Sequence, residues 1–205
     1  MGSAFGRAVL GIALLSSMDA LIKVVAARYP TFEITFLRFA FGTLFAGAVL
    51  AVRRPGWPSR ETVVANSWRA LLVVVTASSF FYALGRLPLA EAQALAFLAP
   101  IFIALFGVVL LGERIDGRII VALLAGLAGM AVIVLGSGTS RGERSWSGIA
   151  AALVSAVTYA LSMVMLRART TRDGVETIIF FQNIGPALLL AVPASAVWTT
   201  PAVPD

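Results

Sequence analysis

The sequence contains no cysteine and no histidine, and only 13% of its 205 residues are charged. The missing residue types exclude disulfides, thiol nucleophiles, iron–sulfur clusters and zinc sites built from thiolate or imidazole. The composition does not exclude a metal site built from carboxylates alone, but the ten acidic residues are scattered along the chain. We therefore predict no metal, no cofactor and no enzymatic activity, since a catalytic centre would rest on serine and carboxylate groups alone.

The chain is poor in charged residues and rich in apolar ones. Hydrophobic residues make up 60% of the chain, and the mean hydropathy is +0.94. In a soluble domain about a quarter of the residues are charged. Apolar blocks of about 20 residues each are typical of helices that cross a lipid bilayer. The composition therefore predicts an integral membrane protein.

Charged or Gly/Pro-rich breaks divide the chain into seven predicted membrane-spanning helices, and the fold class is an all-α polytopic bundle. The helices cover about 7–27, 33–52, 68–85, 91–111, 118–135, 146–166 and 176–197. The stretch RRPGWPSRETVVANS, residues 53–67, is predicted to be a polar loop. Pro100 lies in the middle of the fourth span, where it frees a backbone carbonyl and favours a kink. Gly126 and Gly129 are expected to let the fifth span approach another helix closely.

Basic residues concentrate in alternate loops, which predicts the orientation. If the N-terminus is inside, the outer segments hold only Arg28, Arg86, Arg141 and Arg144. The inner segments then hold Arg7, Arg53, Arg54, Arg60, Arg69, Arg114, Arg118, Arg167, Arg169 and Arg172. The positive-inside rule therefore predicts a multi-pass protein of the plasma (inner) membrane with a cytoplasmic N-terminus. The same rule explains the net charge of +6 without a nucleic-acid partner.

Several stretches resemble the EamA family of the drug/metabolite transporter (DMT) superfamily. They are LPLAEAQALAFLAPIFIALFGVVLLGERIDGR at 87–118, the Gly/Ala-rich helix at 117–136, and YPTFEITFLRF at 29–39. The resemblance covers most of residues 7–197. It implies two five-helix repeats and the transport of small organic metabolites or drugs across the inner membrane.

The chain also carries a weak internal repeat. GIALLSSM from Gly11 and GIAAALVSA from Gly148 each open a span, followed by a short loop and a further helix. We expect a first repeat at 1–137 and the start of a second, inverted repeat at 146–205, a plan common in transporters. Because ten helices are implied and seven are predicted, we expect either a fragment, the favoured reading, or pairing with another copy as a homodimer.

Asp19 and Lys23 lie one helical turn apart inside the first span. An ion pair between them is one reading, and a substrate or ion site is the other. Arg38 lies about five residues inside the second span, at a depth similar to that of Lys23. We predict a polar cluster of Asp19, Lys23, Arg38 and Glu33 in the outer half of the membrane. Two cations against one deeper acid favour an anionic or carboxylate-bearing substrate. The alternative for Arg38 is snorkelling to the outer headgroups.

Further polar residues are candidates for the wall of a substrate cavity. Hydrogen bonding between helices is the favoured alternative for all of them except Gln93, for which a contact at the helix end is an equal alternative. These candidates are Tyr82, Gln93, Tyr159, Gln182 and Asn183. Glu113 and Arg114 follow Gly112 in an inner turn and are predicted to form a structural cap or loop pair.

The function predicted from these features is secondary transport of a small organic molecule by alternating access. A proton is the candidate coupling ion, because Asp19 is the one acid well inside a predicted span. The alternative is a structural membrane subunit that acts only with a partner copy.

Overall fold

The computed structural model describes residues 2–53, 56, 58–114, 116–136, 145–169 and 174–200. These residues form eight helices and no strand, which confirms the all-α prediction. The helices are α1 (Gly2–Val25), α2 (Thr31–Arg53), α3 (Arg60–Arg86), α4 (Leu89–Ala96), α5 (Ala99–Leu111), α6 (Gly117–Gly136), α7 (Trp146–Arg169) and α8 (Val175–Ala196). Arg54, Arg141, Arg144 and Arg172, with the predicted loop at 137–144, lie outside the described residues.

The third helix begins eight residues earlier than predicted, at Arg60 in place of Trp68, so the predicted loop at 53–67 is wrong over 60–67. Ser59 caps this helix: its hydroxyl accepts a hydrogen bond from the Thr62 amide at 3.1 Å. Such a cap satisfies an amide that the first helical turn leaves without a partner. The segment is polar because its side chains bind one another and a neighbouring helix, not because it is a loop.

The fourth predicted span is two helices, α4 and α5, with a break at Phe97 and Leu98. Pro100 lies in the first turn of α5, where its lack of an amide hydrogen does not cost a helical hydrogen bond. The predicted kink at Pro100 is therefore present as a short interruption, in which Phe97 and Leu98 keep right-handed helical backbone angles. As a consequence, Gln93 belongs to the short helix that precedes the kink.

The long helix α3 is the centre of the bundle and packs on α7 and α8, while α2 packs on α8 and α5 packs on α7. Close approach depends on small residues. A Cβ atom at Gly185 of α8 would lie 2.6 Å from the Cβ of Ala70 on α3. Ala152, Ala156 and Ala160 form a buried stripe along α7.

Contacts between helix termini define two ends of the bundle. At the upper end, Lys23 near the end of α1 contacts Leu87 after α3, and Thr199 after α8 contacts Glu33 at the start of α2. At the lower end, Arg169 of α7 contacts Glu61 at the start of α3. The upper end is the one that the charge pattern predicts to face outward.

Two helices lie at the periphery with most of their apolar side chains exposed. Leu21 of α1 is 67% exposed and Val121 of α6 is 67% exposed. No described atom comes within 4 Å of a Cβ atom built at Gly126 or Gly129, so the close approach predicted there is not made within the described residues. Counting α4 and α5 as one span, six helices in the described part of the chain are long and apolar enough to cross a membrane, and α6 contributes a shorter apolar segment.

Candidate substrate site in the upper half of the bundle

Asp19 and Gln93 meet between α1 and α4. The Gln93 side-chain amide donates a hydrogen bond from Nε2 to Asp19 Oδ2 at 2.9 Å. The break before Pro100 makes α4 a separate short helix, and this helix presents Gln93 to α1. Both residues were predicted as site residues, but their contact was not.

Arg38 of α2 lies close to this pair. Its guanidinium carbon lies 4.6 Å from the ring centroid of Phe39 and 5.9 Å from that of Phe81. The charges of Arg38 and Asp19 attract each other, although the two side chains form no ion pair within the described residues. Arg38 Nε is buried and has no hydrogen-bond partner there. The guanidinium therefore packs on aromatic rings in the bundle, in contrast to the snorkelling alternative.

Lys23 does not pair with Asp19 in the described part of the chain, so the predicted ion pair is wrong. Its ammonium donates hydrogen bonds to the carbonyl oxygens of Leu84 and Leu87, both at 2.6 Å. These carbonyls lie at the C-terminal end of α3, where helix carbonyls lack partners and the helix dipole favours a cation. The end of α3 thus attracts Lys23 more effectively than the acid one turn away.

Glu33 is separate from the Asp19 group, which corrects the four-residue cluster. It is 1% exposed, and its Oε2 accepts a hydrogen bond from the Thr199 amide at 2.9 Å. Glu33 also lines a cavity of about 350 Å³ between α1 and α2, whose other walls include Met18 and Leu37. The cavity is mostly apolar, and one of its lining residues, Met18, directly precedes Asp19 in the sequence.

The two candidate tyrosines lie away from the Asp19 group. The Tyr82 hydroxyl donates to Ser147 Oγ at 3.5 Å, and the guanidinium of Arg86 lies 4.8 Å from the Tyr82 ring centroid. Tyr82 therefore connects α3 to α7 at the upper end. Tyr159 lies on α7 and is 42% exposed.

A second polar cluster lies in the lower half, around Arg69, which the sequence predicted at the start of the third helix but not as a site residue. Arg69 of α3 is 4% exposed and donates from Nη2 to Gln182 Oε1 at 2.6 Å and from Nη1 to Asn66 Oδ1 at 2.9 Å. Asn66 in turn donates to the Thr62 carbonyl at 2.9 Å. The spacing of Thr62, Asn66 and Arg69 by four and three residues, which places them on one helix face, was the signal that could have identified them.

Asn183 stabilises a close helix contact. Its side-chain amide donates to the Ile179 carbonyl at 2.8 Å, and its Oδ1 occupies the space that a Cβ atom at Gly42 of α2 would need. Together with Gln182, it therefore lies on α8 in contacts between helices. The described residues contain no cluster of acidic residues that could hold a metal ion.

The candidate residues thus fall into two groups. Asp19, Gln93 and Arg38 converge in the upper half, with Lys23 bound to helix carbonyls next to them. Gln182 belongs to the lower cluster around Arg69. The upper group alone combines an acid with a cation whose hydrogen bonds are not committed within the described residues.

Comparison with known proteins identifies the family to which this architecture belongs. The model of the EamA-like transporter family matches residues 5–135. The pseudopaline exporter CntI of Pseudomonas aeruginosa (strain UCBPP-PA14) is 35% identical over 199 residues, which are 96% of this chain and 67% of that protein. The S-adenosylmethionine uptake transporter of Rickettsia bellii (strain RML369-C) is 20% identical over 196 residues, or 96% of this chain and 66% of the relative.

A crystal structure has the same fold, with a TM-score of 0.72 at 29% identity, and the match covers 94% of this chain and 68% of that one. The chain therefore spans about two thirds of the length of these relatives. The family model covers more than half of the chain, and the resemblance inferred from the sequence is confirmed. The protein is a multi-pass membrane protein that belongs to the EamA-like transporter family, within the DMT group of transporters.

Proposed function

We propose that the protein is a secondary transporter, which moves a small organic metabolite or drug across the inner membrane by alternating access. The observation that carries this proposal is the convergence of Asp19, Gln93 and Arg38 from three different helices, α1, α4 and α2. A site assembled from several helices changes its shape when those helices move relative to one another. This is the property that alternating access requires.

The chemistry of the site favours a substrate that carries a carboxylate or another anionic group. The guanidinium carbon of Arg38 lies near the rings of Phe39 and Phe81, and its nitrogens make no hydrogen bond to a described residue, so they remain available to a ligand. A planar guanidinium binds a carboxylate through two parallel hydrogen bonds. Lys23 already donates to two carbonyls, so we assign anion binding to Arg38 and a supporting role to Lys23.

Asp19 adds to the site an acidic group that can bind a proton or a cation. Its carboxylate accepts from Gln93 and interacts with the charge of Arg38. It can bind a proton or the cationic group of a substrate, and competition between the two would couple their fluxes. A zwitterion with separated ammonium and carboxylate groups would engage Asp19 and Arg38 together.

The proposed transport cycle uses the two ends of the bundle. The lower ends are connected by ion pairs from the last turn of α7, Arg169 to Glu61 at 3.0 Å and Arg167 to Glu113 at 3.1 Å. We assign the lower end to the cytoplasm, with the N-terminus inside, and residues 1–137 and 146–205 to inverted repeats. These assignments rest on the loop charges and on the internal sequence similarity.

The test is flux into proteoliposomes with and without a pH gradient, using a metabolite panel that contains acids, amines and zwitterions. Asp19→Asn should abolish the response to the gradient because the carboxylate can no longer exchange a proton. Glu91→Gln is the matched control, since Glu91 is an acid in the first turn of the same α4 helix that carries Gln93. Gradient-driven flux that survives in Asp19→Asn would rule out the coupling role.

A structural membrane subunit that acts with a partner copy is the second candidate. It is favoured by the exposed apolar faces of α1 and α6. Flux that rises with the square of the chain's density in the vesicles, together with a dimer mass in detergent, would support this candidate. Flux proportional to density would contradict it.

A further inference from the structure

A pocket of about 250 Å³ lies at the lower end of the bundle, between α5, α6 and α7. Its walls include Ile103 of α5 and Ile119 and Leu123 of α6, and its charged residues are Glu113, Arg114 and Arg167. The pocket is therefore apolar along the helices and charged where the helices end. It is far from the Asp19 group, because Gln93 contacts Asp19 at the upper end and Glu113 follows the lower end of α5.

The charged side of the pocket depends on two glycines, Gly112 in the sequence LGER and Gly107 earlier in α5. Gly112 has a φ of +66°, a left-handed conformation that glycine adopts without strain, and it ends α5. The chain then turns so that Glu113 lies against Gly107, where a Cβ atom would come within 2.7 Å of Glu113 Oε2. The same oxygen pairs with Arg167 Nη1 at 3.1 Å and holds Arg167 at the pocket.

Arg114 adds a second cation beside this ion pair. Within the described residues, Arg114 makes neither a hydrogen bond nor an ion pair, although it lines the pocket. Two arginines and one glutamate leave the pocket with an excess of one positive charge. An anion is therefore the ligand that matches the pocket's charge.

The position of the pocket identifies the kind of anion. Glu113 and Arg114 lie between the end of α5 at Leu111 and the start of α6 at Gly117, at the level where membrane-spanning segments reach the headgroups. The apolar walls continue from there along α5 and α6 toward the bilayer interior. A soluble anion would leave these walls unfilled, whereas a lipid would place its headgroup at the arginines and an acyl chain along the isoleucines. Basic pockets between helices are known binding sites for anionic lipid headgroups.

We propose that this pocket is a binding site for an anionic phospholipid, with the phosphate held by Arg114 and Arg167 and one acyl chain lying along Ile103, Ile119 and Leu123. The proposal does not depend on the substrate site and would hold for a transporting or a non-transporting chain. Its consequence is that an anionic lipid connects the α5–α6 turn to the end of α7.

The experiment measures how many lipids remain bound to the full chain in native mass spectrometry after incubation with phosphatidylglycerol or with phosphatidylcholine. Arg114→Gln should weaken the binding of one phosphatidylglycerol about fivefold, the effect expected for one arginine beside an anionic lipid. Phosphatidylcholine binding should not change. Arg53→Gln is the matched control, because Arg53 is an exposed arginine at the lower end of α2, outside the pocket.

Three outcomes would overturn the proposal. Equal losses in Arg114→Gln and Arg53→Gln would mean a general attraction between the basic end and anionic lipids. Displacement of phosphatidylglycerol by millimolar inorganic phosphate would mean that a soluble anion occupies the pocket. An unchanged phosphatidylglycerol preference in Leu123→Ser, with a melting temperature equal to that of the parent chain, would exclude the acyl chain from the apolar wall.

Discussion

The two arginines inside the bundle, Arg38 in the upper half and Arg69 in the lower half, differ in what surrounds the same side chain. Arg69 donates from both terminal nitrogens, to Asn66 on its own helix and to Gln182, and the contact with Gln182 ties α3 to α8. Arg38 lies over two aromatic rings, close to the charge of Asp19, and no hydrogen bond from its guanidinium to a described residue is present. Nε is buried without a partner in both arginines, so the difference lies in the terminal nitrogens. Those of Arg69 are occupied, whereas those of Arg38 have no partner among the described residues and can bind a ligand.

This comparison is the reason why we place the proposed substrate site in the upper half. The ligands of Arg69 are neutral amide oxygens on two helices that pack closely, as the contact between Gly185 and Ala70 requires. The upper half instead contains the cavity between α1 and α2, and α1 has few neighbours within the described residues. We therefore expect substitutions in the upper half to change transport and those in the lower half to change stability.

The largest expected effect is that of Arg38→Ala on transport. The loss of a guanidinium that binds the carboxylate of a substrate should raise KM about 30-fold or more, because an unpaired buried charge on the substrate costs at least about 2 kcal/mol. Arg38→Lys keeps the charge but not the two-pronged geometry and should recover part of the affinity. A KM within twofold of the parent chain in Arg38→Ala, measured by flux in proteoliposomes, would remove Arg38 from the site.

Arg69→Ala should act on stability instead. Two charged hydrogen bonds are lost, and the oxygens of Asn66 and Gln182 remain without their donor, so the free energy of unfolding should fall by about 2–4 kcal/mol. The measurement is unfolding in mixed detergent micelles, followed by circular dichroism. Arg69→Lys is the control, since it can keep one of the two contacts. A reduced kcat with unchanged unfolding would contradict the distinction between the two arginines.

Lys23→Met should have the smallest effect of the three. The substitution removes two hydrogen bonds to the last carbonyls of α3 and the favourable interaction of a cation with that helix end. Because water and headgroups near the upper end can replace part of this contact, we expect about 1–2 kcal/mol of lost stability. Lys23→Arg should restore it. A loss of substrate affinity at unchanged stability would instead return Lys23 to the binding site, as the sequence first suggested.

The sequence predicted only part of the candidate site, because it gives the depth of a polar residue in a helix but not the partner of its side chain. Asp19 and Arg38 were found because a charge inside an apolar block is visible in one dimension, and counting residues along two helices gives their depth. The contacts of Arg69 were missed because its partner Asn66 was assigned to a loop at 53–67, although residues 60–67 form the lower end of α3. The contact of Gln93 with Asp19 was not predictable, since it depends on the break before Pro100 and on the rotation of α4.

The sequence by itself determined the helical bundle, the approximate spans, the interruption at Pro100 and the family, because hydropathy, helix breakers and motif spacing act locally along the chain. Only the tertiary structure decided which partner each buried polar group has. Lys23 binds the end of α3 in place of Asp19, Glu33 accepts from Thr199, and Arg69 joins α3 to α8. The physical reason is that depth follows from position in a helix, whereas the direction of a side chain around the helix axis is set by how the helices pack against one another.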